Sequence, residues 1–300
     1  MNWEEAISDY LNYLRLERGL SDNSVRNYRR DVRKLAAFMQ DSQPGKLPKN
    51  TDRKDIEAFI HELAGQLKAR SQARIISGLR GFFGFLIFEG YRPDNPMDLI
   101  EAPKLGRKLP DTLSVEEIDR IVSAIDRSKP EGERNLAILE TLYGCGLRVS
   151  EVLTLRLSDL YFEEGFVKVT GKGSKDRFVP LGTYNQQCLQ RYIREVRPHP
   201  GPGPGFEDIV FLNRRGRNLS RAMIFTIVKD LAEKAGIRKK VSPHTFRHSF
   251  ATHLLQNGAD IRAIQQMLGH ESITTTEVYM HVDRSHLAEV VRKHHPRKFE

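Results

Sequence analysis

The segment from residue 101 to residue 112 constrains this chain most, because no regular element can pass through it. It begins Glu101-Ala102-Pro103-Lys104-Leu105-Gly106-Arg107-Lys108-Leu109-Pro110, with two prolines, a glycine and no apolar period. Proline removes a backbone donor and biases the residue before it away from helix, so the segment reads as an extended basic linker. It divides the 300 residues into 1–100 and 113–300, each long enough for its own core.

Helical spacing of apolar residues dominates the first part. Trp3 to Gly19, Ser24 to Met39, Arg53 to Lys68 and Ser71 to Glu89 predict a four-helix domain. On the second of these helices Arg26, Arg29, Arg30 and Arg33 recur at i, i+3, i+4 and i+7, a basic stripe able to follow a phosphate backbone. Taken alone, the stripe is equally well an ordinary solvated helix face.

The second part is expected to be mainly helical with a small antiparallel sheet. Ser114-Val115-Glu116-Glu117 is a capping box that opens its first helix. Gly165 to Thr170 and Asp176 to Pro180 are β-prone runs flanking Gly171-Lys172-Gly173-Ser174, which predicts a hairpin with Lys172 at its tip. Ser242 followed by Pro243 reads as an N-cap and first helical residue. His244 and Arg247 then share one face at a helix N-terminus, an end favourable to phosphate. Asp260 can cap Ile261 to Leu268, and Gly269 can end that helix with His270 emerging at its exit. Ile209-Val210-Phe211-Leu212 is a candidate additional strand ahead of the basic turn Arg214-Arg215-Gly216-Arg217. Near the C-terminus Ser285 can cap a helix whose apolar face is only Leu287, Val290 and Val291. So small a face suits docking in a groove of another protomer, with packing on its own chain as the competing expectation.

Lys and Arg number 48 against 39 acidic residues, for a net charge of +9 and a pI near 9.5, a balance that favours a polyanionic partner. Met1-Asn2-Trp3-Glu4-Glu5 has no positive n-region, and no apolar run approaches the roughly 20 residues of a membrane span. A cytoplasmic location without membrane association is therefore expected. Cys145 and Cys188 make no metal-ligand spacing and are expected to be free thiols.

Chemistry is concentrated in five strings: Cys145-Gly146-Leu147-Arg148-Val149-Ser150-Glu151, Gly171-Lys172-Gly173-Ser174-Lys175-Asp176-Arg177, His244-Thr245-Phe246-Arg247-His248, Leu268-Gly269-His270 and Glu277-Val278-Tyr279-Met280-His281. Within them Arg148, Lys172, His244, Arg247, His270 and Tyr279 suit the transfer of a DNA phosphodiester onto a phenol. On these strings, in this order, the chain resembles the tyrosine recombinases, and among them the Xer proteins. The stretch from Ser242 to Leu255 is the most specific part of the likeness.

The chemistry gives each residue an expected role. Paired guanidiniums, here Arg148 and Arg247, bind the non-bridging oxygens of an anionic diester and stabilise charge that develops in the transition state. Tyr279 is the candidate nucleophile. A phenol with an ordinary pKa of about 10 is mostly protonated at neutral pH, so it needs neighbouring cations or a base, for which His244 is the candidate. Lys172 suits the general acid that protonates the departing 5′-oxygen, and His270 a hydrogen-bond donor to a phosphate oxygen. A tyrosyl–DNA ester keeps the energy of the broken bond, so no cofactor is implied, neither nucleotide nor metal.

Simpler readings exist for each residue. Arg148 beside Glu151 is an ordinary i, i+3 ion pair, Lys172 an exposed turn residue, Tyr279 a core residue with its hydroxyl at the edge, and His270 a helix C-cap. His244, His248 and His253 invite zinc, yet no glutamate stands where an H-E-x-x-H site needs one. The glycines around Cys145 and Lys172 fail both nucleotide-loop patterns. A DNA-binding accessory protein that does not cut is the alternative from another class, and it would be expected to have lost at least one of the six residues. A type IB topoisomerase would share the chemistry.

The resemblance carries further expectations. It implies a helical core-binding domain and an α+β catalytic domain clamping duplex DNA, a 3′-phosphotyrosyl intermediate, and four protomers per synapse with a donated C-terminal tail. Asn257-Gly258-Ala259-Asp260 and His294-His295-Pro296-Arg297 look more like the XerD than the XerC branch. That likeness implies a XerC-like partner in a heterotetramer, a dif-type site, chromosome-dimer resolution and the translocase FtsK. A XerC-like paralogue or a mobile-element integrase is the alternative within the family. Met280 departs from the threonine usual after the nucleophile.

Overall fold

The structure, a computed structural model, describes residues 1–104, 106, 112–171, 175–199, 201–269 and 283–297. The chain separates into two compact units, Met1–Lys108 and Leu109–Glu300.

The first unit is built from α1 (Trp3–Leu16), α2 (Asp22–Ser42), α3 (Arg53–Gln66) and α4 (Ala69–Phe88). Capping boxes start two of them, Asn2 with Glu5 and Asp52 with Asp55. Their apolar faces meet around fully buried Tyr10, Leu35, Phe82 and Phe83, with the Tyr10 ring edge-on to Phe82 at 5.4 Å. Helices α2 and α4 approach closely at Gly78, where a Cβ would lie 2.9 Å from Asp31 Oδ2. Arg74 clamps that buried carboxylate with bonds of 2.5 and 2.7 Å.

The second unit opens with α5 (Val115–Ser123), α6 (Pro130–Gly144) and α7 (Val149–Thr154). The Ser114–Glu117 capping box is present as expected. An antiparallel sheet follows in the order β1 (Leu160–Tyr161), β2 (Phe166–Thr170), β3 (Asp176–Pro180). The β2–β3 register pairs Thr170 with Asp176 and Phe166 with Pro180, so the expected hairpin exists. Its tip, residues 172–174, lies outside the described residues. Next come α8 (Thr183–Arg191), which passes into a π-helical turn Tyr192–Val196, then α9 (Arg221–Lys234), α10 (Pro243–Gln256), α11 (Ile261–Leu268) and α12 (Asp283–His294). The core gathers α6, α9 and α10 around Leu142, Val228, Phe246 and Phe250. The described residues are mainly helical with one small antiparallel sheet.

The sequence expectation is corrected at one strand. Residues 209–212 form no strand: Ile209 makes an isolated bridge to Arg156, and Leu212 one to Asn218. Their backbone groups find other partners, since Arg197 donates to Ile209 O, Tyr192 Oη accepts from Leu212 N, and Leu155 O accepts from Val210 N. The third strand is instead β1, whose two residues are too few to show a period.

The apolar face of α12 is covered within the chain, with Leu287, Val290 and Val291 all buried. Polar partners add to the three apolar ones. Arg297 bridges buried Glu140 on α6 and Asp119 on α5, while His294 and Asn257 exchange two hydrogen bonds. The helix is thus seated on its own domain here.

Candidate active site

Four sequence-distant segments meet around one carboxylate. Glu151 is the third residue of α7, and its Oε2 accepts from Arg148 N at 2.7 Å, closing the helix start. Its Oε1 takes Arg148 Nη1 at 2.8 Å. Arg177, from β3, lies against both oxygens in a fork of two 2.9 Å bonds. Arg247 Nη1 is 3.8 Å from Oε2. Burial works to raise this carboxyl, but the Arg177 and Arg148 guanidiniums prevail and hold it below the ordinary range, so Glu151 stays ionised at neutral pH.

Arg247, one turn into α10, is buried. Its Nη1 donates to Gly146 O at 2.6 Å and its Nη2 to Leu268 O at 2.5 Å. Burial, and then the nearby Arg148, lower its pKa to about 10, which leaves it a cation at neutral pH. Arg148 is more open, with its side chain 35% exposed, and its Nη2 reaches Gly269 O at 3.2 Å. Three guanidiniums against one carboxylate leave an excess of two positive charges among the described side chains, a suitable counter-field for a phosphodiester.

Two glycines make this convergence possible. Gly146 has φ +58°, and a Cβ there would sit 2.5 Å from the Phe250 ring. Only glycine turns the α6 exit sharply enough to aim its carbonyl at Arg247. Gly269 ends α11 in the left-handed conformation, φ +64°, and its missing Cβ admits the Arg177 side chain, which a Cβ would meet at 3.2 Å.

Ser242 and Pro243 start α10 and Asp260 caps α11, as the sequence implies. His244 is exposed at the first turn of α10, while Arg247 on the same helix turns inward. Lys172, His270 and Tyr279 lie outside the described residues, as do Met280 and the side chain of Ser285, whose backbone is the third residue of α12 and not the cap before it. Arg148 and Arg247 are brought together at Glu151. His253 is committed elsewhere, sharing a 2.8 Å hydrogen bond with Tyr143 Oη. Both cysteines are buried free thiols, and burial pushes Cys145 up to about 12. Among the described residues no helix is long and apolar enough to cross a membrane.

Sequence reasoning noticed Glu151 only as a partner of Arg148, and it passed over Arg177 as part of the hairpin. The glycine-rich turn before Arg177 and the repeated pairing of Arg with Glu were signals, but neither says that the two side chains meet. In the first unit Arg26, Arg29, Arg30 and Arg33 are all exposed and line a shallow depression with Lys34. Arg33 is partly engaged by Glu4, at 3.2 Å.

Residues 111–286 match the model of the phage integrase family, and residues 7–90 that of the phage integrase N-terminal SAM-like domain. The chain belongs to the phage integrase family of tyrosine recombinases. It is 45% identical over 295 residues to the tyrosine recombinase XerD of Oceanobacillus iheyensis, covering 98% of this chain and 99% of that one. The XerD of Listeria monocytogenes is 41% identical over 294 residues, with 98% and 99% covered. Within the family these likenesses place the recombinase in the Xer subfamily. Among solved structures, the XerH site-specific recombinase bound to a palindromic difH substrate in a post-cleavage complex superposes with a TM-score of 0.71 at 25% identity, covering 95% of this chain and 84% of that one.

Proposed function

We propose that this recombinase cuts and rejoins double-stranded DNA at a dif-type site through a 3′-phosphotyrosyl intermediate, resolving chromosome dimers during segregation. Arg148 and Arg247 hold the scissile phosphate and neutralise its developing charge, while Tyr279 attacks it. His244 takes the phenolic proton, Lys172 protonates the leaving 5′-oxygen, and His270 donates to a phosphate oxygen. The reaction needs neither metal nor ATP, because one phosphate ester is exchanged for another of similar energy. Arg26, Arg29, Arg30 and Arg33 contact the DNA backbone.

The observation that carries this reading is the fixing of Arg247 and Arg148 by the carbonyls of Gly146, Leu268 and Gly269, which are supplied by the protein itself. Donors already oriented cost little reorganisation when charge develops. The role in chromosomes rests on likeness to the XerD relatives. A XerC-like recombinase is then the partner in a heterotetrameric synapse, FtsK the activating translocase and the cytoplasm the location. In that assembly the tail containing α12 leaves its own domain and docks on a neighbour.

The test is incubation with a duplex carrying a dif-type site nicked beside the cleavage position, so that release of a short strand traps the covalent intermediate. A covalent adduct dependent on the dif-type sequence is expected. Equal adduct on scrambled duplex would reject the site assignment, and none on either would reject strand cleavage.

A further inference from the structure

We propose that Arg177 is a positioning residue for strand cleavage, a strut that neutralises the carboxylate shared by the two phosphate-binding arginines and fixes the segments that orient them. The inference rests on the assignment of Arg148 and Arg247 to the scissile phosphate. Arg177 is itself turned inward, since its side chain is only 11% exposed and each of its three guanidinium nitrogens donates to Glu151 or Met267.

Those donors run to separate segments. Nη1 and Nη2 take the two oxygens of Glu151 at 2.9 Å each, and Nε donates to Met267 O at 2.8 Å. The first pair fixes the start of α7, which carries Arg148. The third bond fixes the exit of α11, whose next residues are the Leu268 and Gly269 carbonyls that orient Arg247 and Arg148. Arg177 stands on β3, so the hairpin that carries Lys172 is tied to both. A Cβ at Gly269 would lie only 3.2–3.3 Å from the Arg177 side chain, so any side chain there would press on it.

Charge explains what the strut accomplishes. With Arg177 present, Glu151 is satisfied by a cation that takes no part in the reaction, and two positive charges remain for the phosphate. Without it, the 5%-exposed Glu151 side chain would have only Arg148 and Arg247 to neutralise it, and the excess would fall to one. The carboxylate would compete with the phosphodiester for the same donors. A lysine restores the charge but not the fork, and it cannot also reach Met267 O.

The experiment compares Arg177→Lys and Arg177→Ala with the unmodified protein in single-turnover cleavage of the nicked dif-type duplex. A parallel duplex carries a neutral methylphosphonate at the scissile position, which has one anionic oxygen fewer to neutralise. Thermal midpoint and DNA affinity are read alongside. Arg177→Lys should stay folded, bind DNA within about 3-fold of wild type, and cleave the phosphodiester about 10²-fold more slowly, the scale for losing one preorganised donor. On the methylphosphonate duplex the slowing of Arg177→Ala, which removes the charge, should be at least tenfold smaller than on the phosphodiester. Equal slowing on both duplexes, or wild-type cleavage by both variants, would overturn the proposal. So would a fold lost in both variants, which would make Arg177 a fold residue instead. Failure of the unmodified protein to form any adduct is a different result and removes the underlying assignment.

Discussion

Arg297 and Glu140, 157 positions apart in sequence, are joined by two hydrogen bonds of 3.0 and 3.2 Å that fasten the segment after α12 to the core of the catalytic unit. Glu140 is almost completely buried, at 1% exposure. Removing the guanidinium would strand its charge. Arg297→Ala should therefore cost about 3–5 kcal/mol, the range for breaking one side of a buried ion pair. Adding Glu140→Gln should recover part of that loss. Urea denaturation of the two variants measures both, and an unchanged midpoint for Arg297→Ala would show that the pair contributes nothing.

Beside this pair, the His295 ring is packed between Tyr143 and Phe250 at 4.7 and 5.4 Å. Burial, and then Arg297, drive its pKa down from 6.5 to about 3. The unfolded chain takes up this proton below pH 6.5 while the folded one refuses it until about 3, so stability is full above 6.5 and falls as pH drops through that window. The slope is at most about 1.4 kcal/mol per pH unit for such a group. His253, depressed by its own burial, adds to the fall, and Glu151 contributes only below the ordinary glutamate range. His295→Phe should flatten the stability profile between pH 6.5 and about 5 without abolishing folding. A profile identical to wild type would contradict the placement of this ring.

Gly146→Ala should both destabilise and disarm the enzyme. Its backbone at φ +58° and the 2.5 Å approach to Phe250 put strain and overlap in the same place, with a combined cost of about 2–5 kcal/mol. The carbonyl that orients Arg247 would shift with it, so cleavage should fall further than DNA affinity. Single-turnover rates beside a binding curve distinguish the two, and parallel losses would contradict the orienting role.

What the sequence revealed depended on how local each interaction was. The caps at Ser114, Ser242 and Asp260 and the β2–β3 hairpin are decided by residues within a few positions, and they stand in the structure as read. The bonds of Arg177 span 26 and 90 positions, and no period or spacing announces such a contact. Residues 209–212 had strand composition, yet nearby side chains and Leu155 O had claimed their backbone groups. The apolar stripe of α12 was visible, but the polar fastening that seats it came from Asn257, Glu140 and Asp119 on other helices.

For the first unit, Arg26→Ala with Arg30→Ala should weaken DNA binding and flatten its dependence on salt. Each backbone contact contributes about 0.9 to the slope of log K against log salt, so losing both should reduce it by up to about 1.8. Binding isotherms across a salt series provide the measurement. An unchanged slope would assign these exposed arginines to solvent.

The central claim is that Tyr279 attacks a phosphate held by Arg148 and Arg247, and mass spectrometry of the trapped adduct tests it most directly. Digestion of the adduct from the nicked dif-type duplex should yield a nucleotide-bearing peptide containing Tyr279. Tyr279→Phe should yield no adduct while binding DNA within a few-fold of wild type, since only one hydroxyl is lost. Arg148→Ala and Arg247→Ala should lower adduct formation far more than affinity. Nucleotide on any other residue, or adduct persisting in Tyr279→Phe, would contradict the account.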